Sequence, residues 1–95
     1  MNENYSPSIT VIPEMGGHIR TWRRLKGLSI ENIGSVLGMS REDVIRLEAG
    51  FVYMIIPVIY KYCEAVGVSE DLFRSTLDKC LEDATATRGA DEVRK

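Results

Sequence analysis

The chain has few of the residues on which most enzymes and metal sites depend. Its 95 residues include one histidine, His18, and two cysteines, Cys63 and Cys80. Two sulfurs without a neighbouring histidine in sequence do not have zinc-ligand spacing, and no nucleophile or carboxylate partner is patterned around His18. We therefore predict no catalytic residue, no metal site and no cofactor. We expect both cysteines to be reduced core side chains and His18 to be solvated or to cap a helix.

The sequence also has no long apolar run, and its first residues do not have the pattern of a signal peptide. No apolar run approaches the length that spans a bilayer, and residues 1–8 are polar, with no charged start followed by a long apolar segment. The sequence therefore favours a cytoplasmic protein without a membrane partner. Its hydrophobic content of 44% is enough to bury the core of one small domain.

The most informative segment is SIENIGSVLGMSREDVIRLEAG, residues 29–50, which predicts two short helices joined by a tight turn. Ser29 and Ser40 are expected to cap the two helices, and Asp43 lies three residues after Ser40, as in a capping box. Gly38 suits the turn and Gly50 the end of the second helix. The residues at helical spacing that should face inward are Ile33, Leu37, Val44 and Leu47.

This segment resembles the helix-turn-helix of the Cro/CI (XRE) family, and the resemblance extends over residues 15–73. It includes the segment IRTWRR at residues 19–24 with KGLS at residues 26–29, and AVGV followed by SEDL at residues 65–72. The resemblance implies an all-α domain of five helices whose third helix lies in the DNA major groove. It also implies an ion pair between Arg23 and Glu48. A homodimer is a common arrangement in this family.

The rest of the chain predicts three parts, an N-terminal arm at residues 1–13, the helical domain at residues 14–81 and a disordered tail at residues 82–95. Residues 9–12, ITVI, are β-prone and could pair with an equivalent strand, lie over the core or be disordered. Either this run or helix 5 could supply a dimer interface.

The helices around the central motif have predicted bounds and inward faces. Helix 1 should run from Glu14 or Gly16 to Lys26, helix 4 should begin near Ile56 and Pro57, and helix 5 should begin after the cap Ser69 and end at about Leu81. The residues expected to face inward are Ile19, Trp22 and Leu25 (or the stem of Lys26) in helix 1, Ile56, Ile59, Cys63 and Val66 in helix 4, and Leu72, Phe73, Thr76, Leu77 and Cys80 or Leu81 in helix 5.

The resemblance also implies which residues would contact DNA. Those that would face the bases on helix 3 are Ser40, Arg41, Glu42, Ile45 and Arg46. Arginine could read guanine or hold phosphate, and Glu42 could accept from a cytosine amino group. Arg23 and Arg24 of helix 1 complete the DNA-binding set.

Several residues depart from the family pattern at this surface. Ile30 stands where the family commonly has a phosphate-binding glutamine, and Phe51 and Val52 stand where a basic residue often follows the glycine. The run continues through Tyr53, Met54 and Ile55 to Ile56, which alone of the six fits the helical spacing of the core. An exposed apolar loop next to Ile30 and Ile45 would favour a protein contact. Inward folding of some of these residues over a longer helix 4 is the alternative.

Charge leaves the ligand class open. Residues 14–50 contain six basic residues (Arg20, Arg23, Arg24, Lys26, Arg41 and Arg46) and five acidic ones (Glu14, Glu31, Glu42, Asp43 and Glu48), a net charge of +1. This is a weak footprint for phosphate binding. The sequence pI of about 5.4 also disfavours binding to DNA phosphates, although a dimer can present a locally basic face.

Two functions follow for a transcriptional regulator with this fold. The first, which we place slightly ahead, is an antiactivator or antitoxin that binds a protein partner, itself a transcriptional regulator, through an apolar surface. That surface would consist of Ile30, Ile45, Phe51, Val52, Tyr53, Met54 and Ile55. The second is a dimeric repressor that binds an operator through helix 3. Exposure of residues 51–54 would favour the first, and their burial beneath an arginine cluster the second.

Overall fold

A computed structural model of the chain describes the backbone of residues 11–93 and the side chains of residues 11–83. Over this range the chain folds into five helices: α1 (Pro13–Lys26), α2 (Ile30–Leu37), α3 (Arg41–Glu48), α4 (Ile59–Val66) and α5 (Glu70–Val93). Two 3-10 turns, Val52–Met54 and Ile56–Val58, connect α3 to α4. The all-α, five-helix fold predicted from the sequence is confirmed, and residues 11–93 contain no strand.

Side-chain caps fix the starts of α2 and α3. The Ser29 hydroxyl accepts from the Asn32 backbone N–H at 2.9 Å, and the Asn32 side-chain oxygen accepts from the Ser29 backbone N–H at 3.3 Å. These reciprocal bonds form the capping box. The Ser40 hydroxyl accepts from the Asp43 N–H at 3.1 Å, as predicted. Asp43, however, does not complete a second box, because its carboxylate accepts instead from Arg46 at 3.0 Å.

Local signals also set the turn between α2 and α3 and the start of α5. Gly38 ends α2 in the left-handed conformation, with φ of 71°. The Ser69 hydroxyl accepts from the Leu72 backbone N–H at 3.0 Å at the start of α5. Both features agree with the sequence prediction, because each depends on residues adjacent in the chain.

The start of α1 lies unusually close to the end of α3. A Cβ on Gly16 would lie 2.5 Å from the Glu48 carbonyl oxygen, and a Cβ on Gly50 would lie 2.7 Å from the Ile12 carbonyl carbon. The Ile12 N–H donates to the Gly50 carbonyl at 2.8 Å, and Gly50 has φ of 115°. Glycine is therefore needed at both positions to join α1 to α3.

A single core lies between the helices. Its buried members are Ile12, Met15, Ile19, Ile33, Leu37, Val44, Leu47, Val52, Ile55, Tyr62, Cys63, Val66, Phe73 and Cys80. The Tyr62 hydroxyl donates to the Ile19 carbonyl at 2.7 Å, and burial raises the pKa of this phenol. Both cysteines are buried free thiols, as predicted, and burial raises the pKa of each.

The segment between α3 and α4 differs from the prediction. Ile55 is fully buried, whereas Ile56, which we expected in the core, is 62% exposed. Helix α4 begins at Ile59, later than predicted. Pro57 lies in the second 3-10 turn, whose three-residue period is tighter than that of an α-helix, so the inward position moves from Ile56 to Ile55.

Smaller differences concern exposure at the ends of helices. Leu25 is 80% exposed, and Leu72 and Leu81 are also exposed, although all three were considered for the core. Trp22 is half-buried and packs against the core, as do Ile59 and Leu77. Exposed leucines are common in small domains because their surface is too large to be covered by polar atoms alone.

The chain ends were predicted with less success. The backbone of α5 remains helical to Val93, beyond the end that we predicted near Leu81. The helix thus covers most of residues 82–95, the segment expected to be disordered. Helix hydrogen bonds are local, so an alanine-containing segment without proline can continue a helix that is already formed. In the arm, residues 9 and 10 of the β-prone run lie outside the described residues, while Ile12 is buried. None of the described helices has the length and apolar content to cross a membrane.

Candidate functional site

Helix α3 presents a polar outer face to solvent. Val44 and Leu47 are buried beneath it. The residues exposed on and beside its outer face are Ser40, Arg41, Glu42, Ile45, Arg46 and Ala49. The predicted base-facing residues of helix 3 are therefore accessible in the described structure.

The two arginines of α3 each have an acidic neighbour. Arg41 donates to Glu31 at the start of α2, and Arg46 donates to Asp43 at 3.0 Å within α3. Both arginine side chains are more than half exposed, 55% for Arg41 and 56% for Arg46. Exposed ion pairs of this kind contribute little to stability, so either guanidinium can exchange its carboxylate for a phosphate at small cost.

Arg23 and Glu48 form the predicted ion pair between α1 and the end of α3. The Arg23 Nε donates to Glu48 Oε2 at 2.5 Å and Nη2 donates to Oε1 at 3.1 Å, while Nη1 donates to the Leu28 carbonyl at 2.8 Å. The hydrogen bonds that Arg23 donates to the Glu48 carboxylate raise the pKa of Arg23, against the opposing effect of burial. Arg23 is 7% exposed, so it positions helices, and its assignment as a DNA contact is corrected.

A shallow cleft of about 300 Å³ lies between α1, the start of α2 and α3. Its lining residues are Arg20, Arg23, Arg24, Ile30, Ile45, Glu48 and Ala49. The structure thus brings together Arg24, Ile30 and Ile45, which the sequence placed around one face. Arg20 was not among the assigned site residues, although its position four residues before Arg24 on one helix face was a usable signal.

The apolar segment after α3 is not a continuous exposed surface. Val52 and Ile55 are buried in the core, and Phe51 and Met54 are half-buried. Tyr53 is 46% exposed, and its ring meets that of Phe51 edge-on with centroids 6.2 Å apart. The predicted partner surface of residues 51–55 is therefore wrong for Val52 and Ile55, because these two side chains fill the core between α3 and α4.

A separate cluster lies at the first turns of α1. Glu14, His18 and Cys80 each place a potential metal-ligand atom within 4.8 Å of the others. The sequence suggested no carboxylate partner for His18 and no histidine near a cysteine. In the fold, Glu14 lies one turn before His18 on α1, and the packing of α5 against α1 brings Cys80 close to both.

Comparison with known proteins gives one family-level match. Residues 14–75 match a family model described as a helix-turn-helix domain, which spans the chain from the first turn of α1 into α5. No curated protein and no solved structure matches the chain.

Proposed function

Because the chain belongs to this family of helix-turn-helix domains, we propose that it is a transcriptional regulator that binds DNA by inserting α3 into the major groove. The domain would lie on DNA as the domains of the Cro/CI family do, with its third helix in the major groove. The observation that supports this most is the set of exposed arginines around α3, which are Arg20 and Arg24 on α1 and Arg41 and Arg46 on α3.

The four arginines would have two kinds of role. Arg41 and Arg46, on α3 itself, would reach base edges, where arginine pairs with guanine. Arg20 and Arg24, at the cleft beside α3, would hold phosphates and so set the register of the domain on DNA. Arg23 would act indirectly by fixing α1 against α3.

The partial burial of residues 51–56 changes the order of the two functions. The sequence favours a protein partner because six consecutive apolar residues would need a cover. Val52 and Ile55 are covered in the core and Phe51 and Met54 are half-buried, so this segment does not form the continuous apolar surface on which that order rested. Ile30 still lacks a phosphate-binding group, but the neighbouring Arg24 supplies a cation at the same cleft.

The test is a salt titration of DNA binding by fluorescence anisotropy, using duplexes from the region upstream of the protein's own coding sequence and an unrelated duplex. We expect selective binding that weakens steeply with salt. Arg41→Ala or Arg46→Ala should cost about 1–3 kcal/mol for the selected duplex. Arg24→Ala should weaken both duplexes and reduce the salt slope by about 1.

Arg74→Ala is the matched control. The Arg74 side chain on α5 is 66% exposed, and its Nη2 lies 3.9 Å from Glu70 Oε1. Its replacement removes one positive charge outside the arginine set around α3. It should leave the binding of both duplexes close to that of the unaltered chain. If the folded protein fails to bind any duplex at low salt, the DNA-binding proposal is refuted. A homodimer, which we also propose, should favour palindromic sites with half-sites about one helical turn apart.

Binding to a protein partner, as an antiactivator or antitoxin would, is the second candidate. It is favoured by the cleft, which is lined by Ile30 and Ile45 together with Arg20 and Arg24 and so fits a segment that is both apolar and acidic. In a reporter assay of the genes that respond to the protein, Ile45→Glu should then abolish control, whereas Arg41→Ala and Arg46→Ala, which impair control if α3 recognises bases, should preserve it. Preserved control in Ile45→Glu would exclude this function.

A further inference from the structure

The cluster at the start of α1 combines three different ligand groups. Glu14 and His18 are four residues apart on α1, so their side chains lie on one helix face one turn apart. Cys80 approaches from α5, and one ligand atom from each residue lies within 4.8 Å of the other two. Glu14 and His18 are exposed, whereas Cys80 is 2% exposed. The thiol therefore forms the floor of the cluster and the other two groups its solvent-facing side.

We propose that Glu14, His18 and Cys80 bind one divalent transition-metal ion of the zinc class. Carboxylate oxygen, imidazole nitrogen and thiolate sulfur are the three protein ligands that zinc accepts, at bond lengths of about 2.0–2.3 Å. Tetrahedral geometry at those lengths separates ligand atoms by about 3.5 Å. The ligand atoms lie within 4.8 Å of one another, so they have to approach by at most about 1.3 Å, chiefly through rotation of the exposed Glu14 side chain. Water completes the tetrahedron.

The charges around Cys80 suit a cation. Glu14 and Asp83 both raise the pKa of the Cys80 thiol, after the larger effect of burial, while Lys79 opposes them. The same two carboxylates that resist a further negative charge on the Cys80 sulfur attract a metal ion. When the ion binds, the thiol proton passes to solvent and the sulfur forms the metal bond, so the positive ion compensates the new thiolate.

His18 is held in place from the side. Its ring packs against Trp22 with centroids 5.9 Å apart, and Trp22 packs against Phe73 at 5.8 Å. This stack restricts the imidazole at the edge of the core, as a metal ligand requires. Trp22 is the single tryptophan of the chain, so its fluorescence reports directly on the cluster.

The alternative is that Cys80 is a core thiol with no ligand role, like Cys63. Both cysteines are buried and free, but within the part of the chain whose side chains are described only Cys80 belongs to a group of three metal-ligand residues. Cys63 therefore offers a control of the same residue type and similar burial.

The experiment titrates the reduced full-length chain, freed of any histidine tag, with Zn²⁺ by calorimetry and with Co²⁺ by absorption and Trp22 fluorescence. We expect one ion per chain and a thiolate-to-cobalt charge-transfer band. Cys80→Ser should remove the band, and His18→Ala and Glu14→Gln should each weaken Zn²⁺ binding at least about tenfold. Cys63→Ser should keep both the band and the affinity.

Two results would overturn the site. One is the absence of a thiolate band in the unaltered chain, and the other is unchanged Zn²⁺ affinity in His18→Ala. Cys80 is buried, so circular dichroism is needed to check that Cys80→Ser is folded. Should that variant unfold, His18→Ala decides the question, because His18 is exposed and its removal leaves the core intact. These measurements contain no DNA, so their outcome is independent of the proposed function.

Discussion

The ion pair between Arg23 and Glu48 gives the sharpest stability prediction. Both side chains are 8% exposed, and the guanidinium also donates to the Leu28 carbonyl. Glu48→Leu would leave the buried arginine charge without a counterion, which costs about 3–5 kcal/mol. A domain of this size has a total stability of only about 5–15 kcal/mol, so the variant should be close to unfolding.

The double variant Arg23→Met with Glu48→Leu should be much more stable than Glu48→Leu alone. It removes both charges together, and what remains is mainly the unpaired Leu28 carbonyl, at about 1 kcal/mol. Urea unfolding followed by Trp22 fluorescence measures the stability of Arg23→Met, Glu48→Leu and the double variant, which together give the coupling energy of the pair.

Arg41→Met is the control for this cycle, since it breaks the exposed pair with Glu31 and should cost less than about 1 kcal/mol. If Glu48→Leu also costs less than about 1 kcal/mol, or if the two single changes in the buried pair are additive, the pair does not hold α1 against α3 as described.

Two further predictions concern the glycine contact and the buried phenol. Gly16→Ala should destabilise the domain by more than about 2 kcal/mol, because its Cβ would meet the Glu48 carbonyl. Gly17→Ala, whose Cβ meets nothing within 4 Å, should instead stabilise α1 by about 0.5–1 kcal/mol. Thermal unfolding of the two variants would contradict this if both changes shifted the stability alike. Burial raises the pKa of Tyr62, so above about pH 10 the phenol ionises in the unfolded chain but stays protonated in the folded domain. The free energy of unfolding should therefore fall as the pH rises through that range. Tyr62→Phe should make this fall shallower in alkaline urea titrations, and an unchanged pH dependence would show that Tyr62 is not its source.

Features that depend on neighbouring residues were predictable from the sequence. Ser29, Ser40 and Ser69 cap helices as expected because a cap bonds to a backbone group three residues away. The glycine turn at Gly38 is likewise local. These signals, together with the helical spacing of apolar residues and the resemblance to the Cro/CI family, predicted the five-helix order.

Features that depend on tertiary packing were not predictable from the sequence. Six consecutive apolar residues carry no periodicity, so the sequence alone did not show that Val52 and Ile55, rather than Ile56, fill the core. The cluster of Glu14, His18 and Cys80 was missed because Cys80 joins the other two only after α5 packs against α1. Of the candidate interface, the exposed arginines of α3 were predicted, but the burial of Arg23 depended on its contacts with Glu48 and Leu28.

The hydrogen bond from Ile12 to Gly50 has a practical consequence for anyone who modifies this protein. It fixes the point at which the N-terminal arm enters the domain at the end of α3, beside Ala49 and the cleft. A bulky label attached at the exposed Val11, one residue before this hydrogen bond, would therefore stand next to that surface and hinder large ligands there. A label attached at the exposed Arg74 of α5, outside the arginine set around α3, is the better choice when binding through α3 is to be measured.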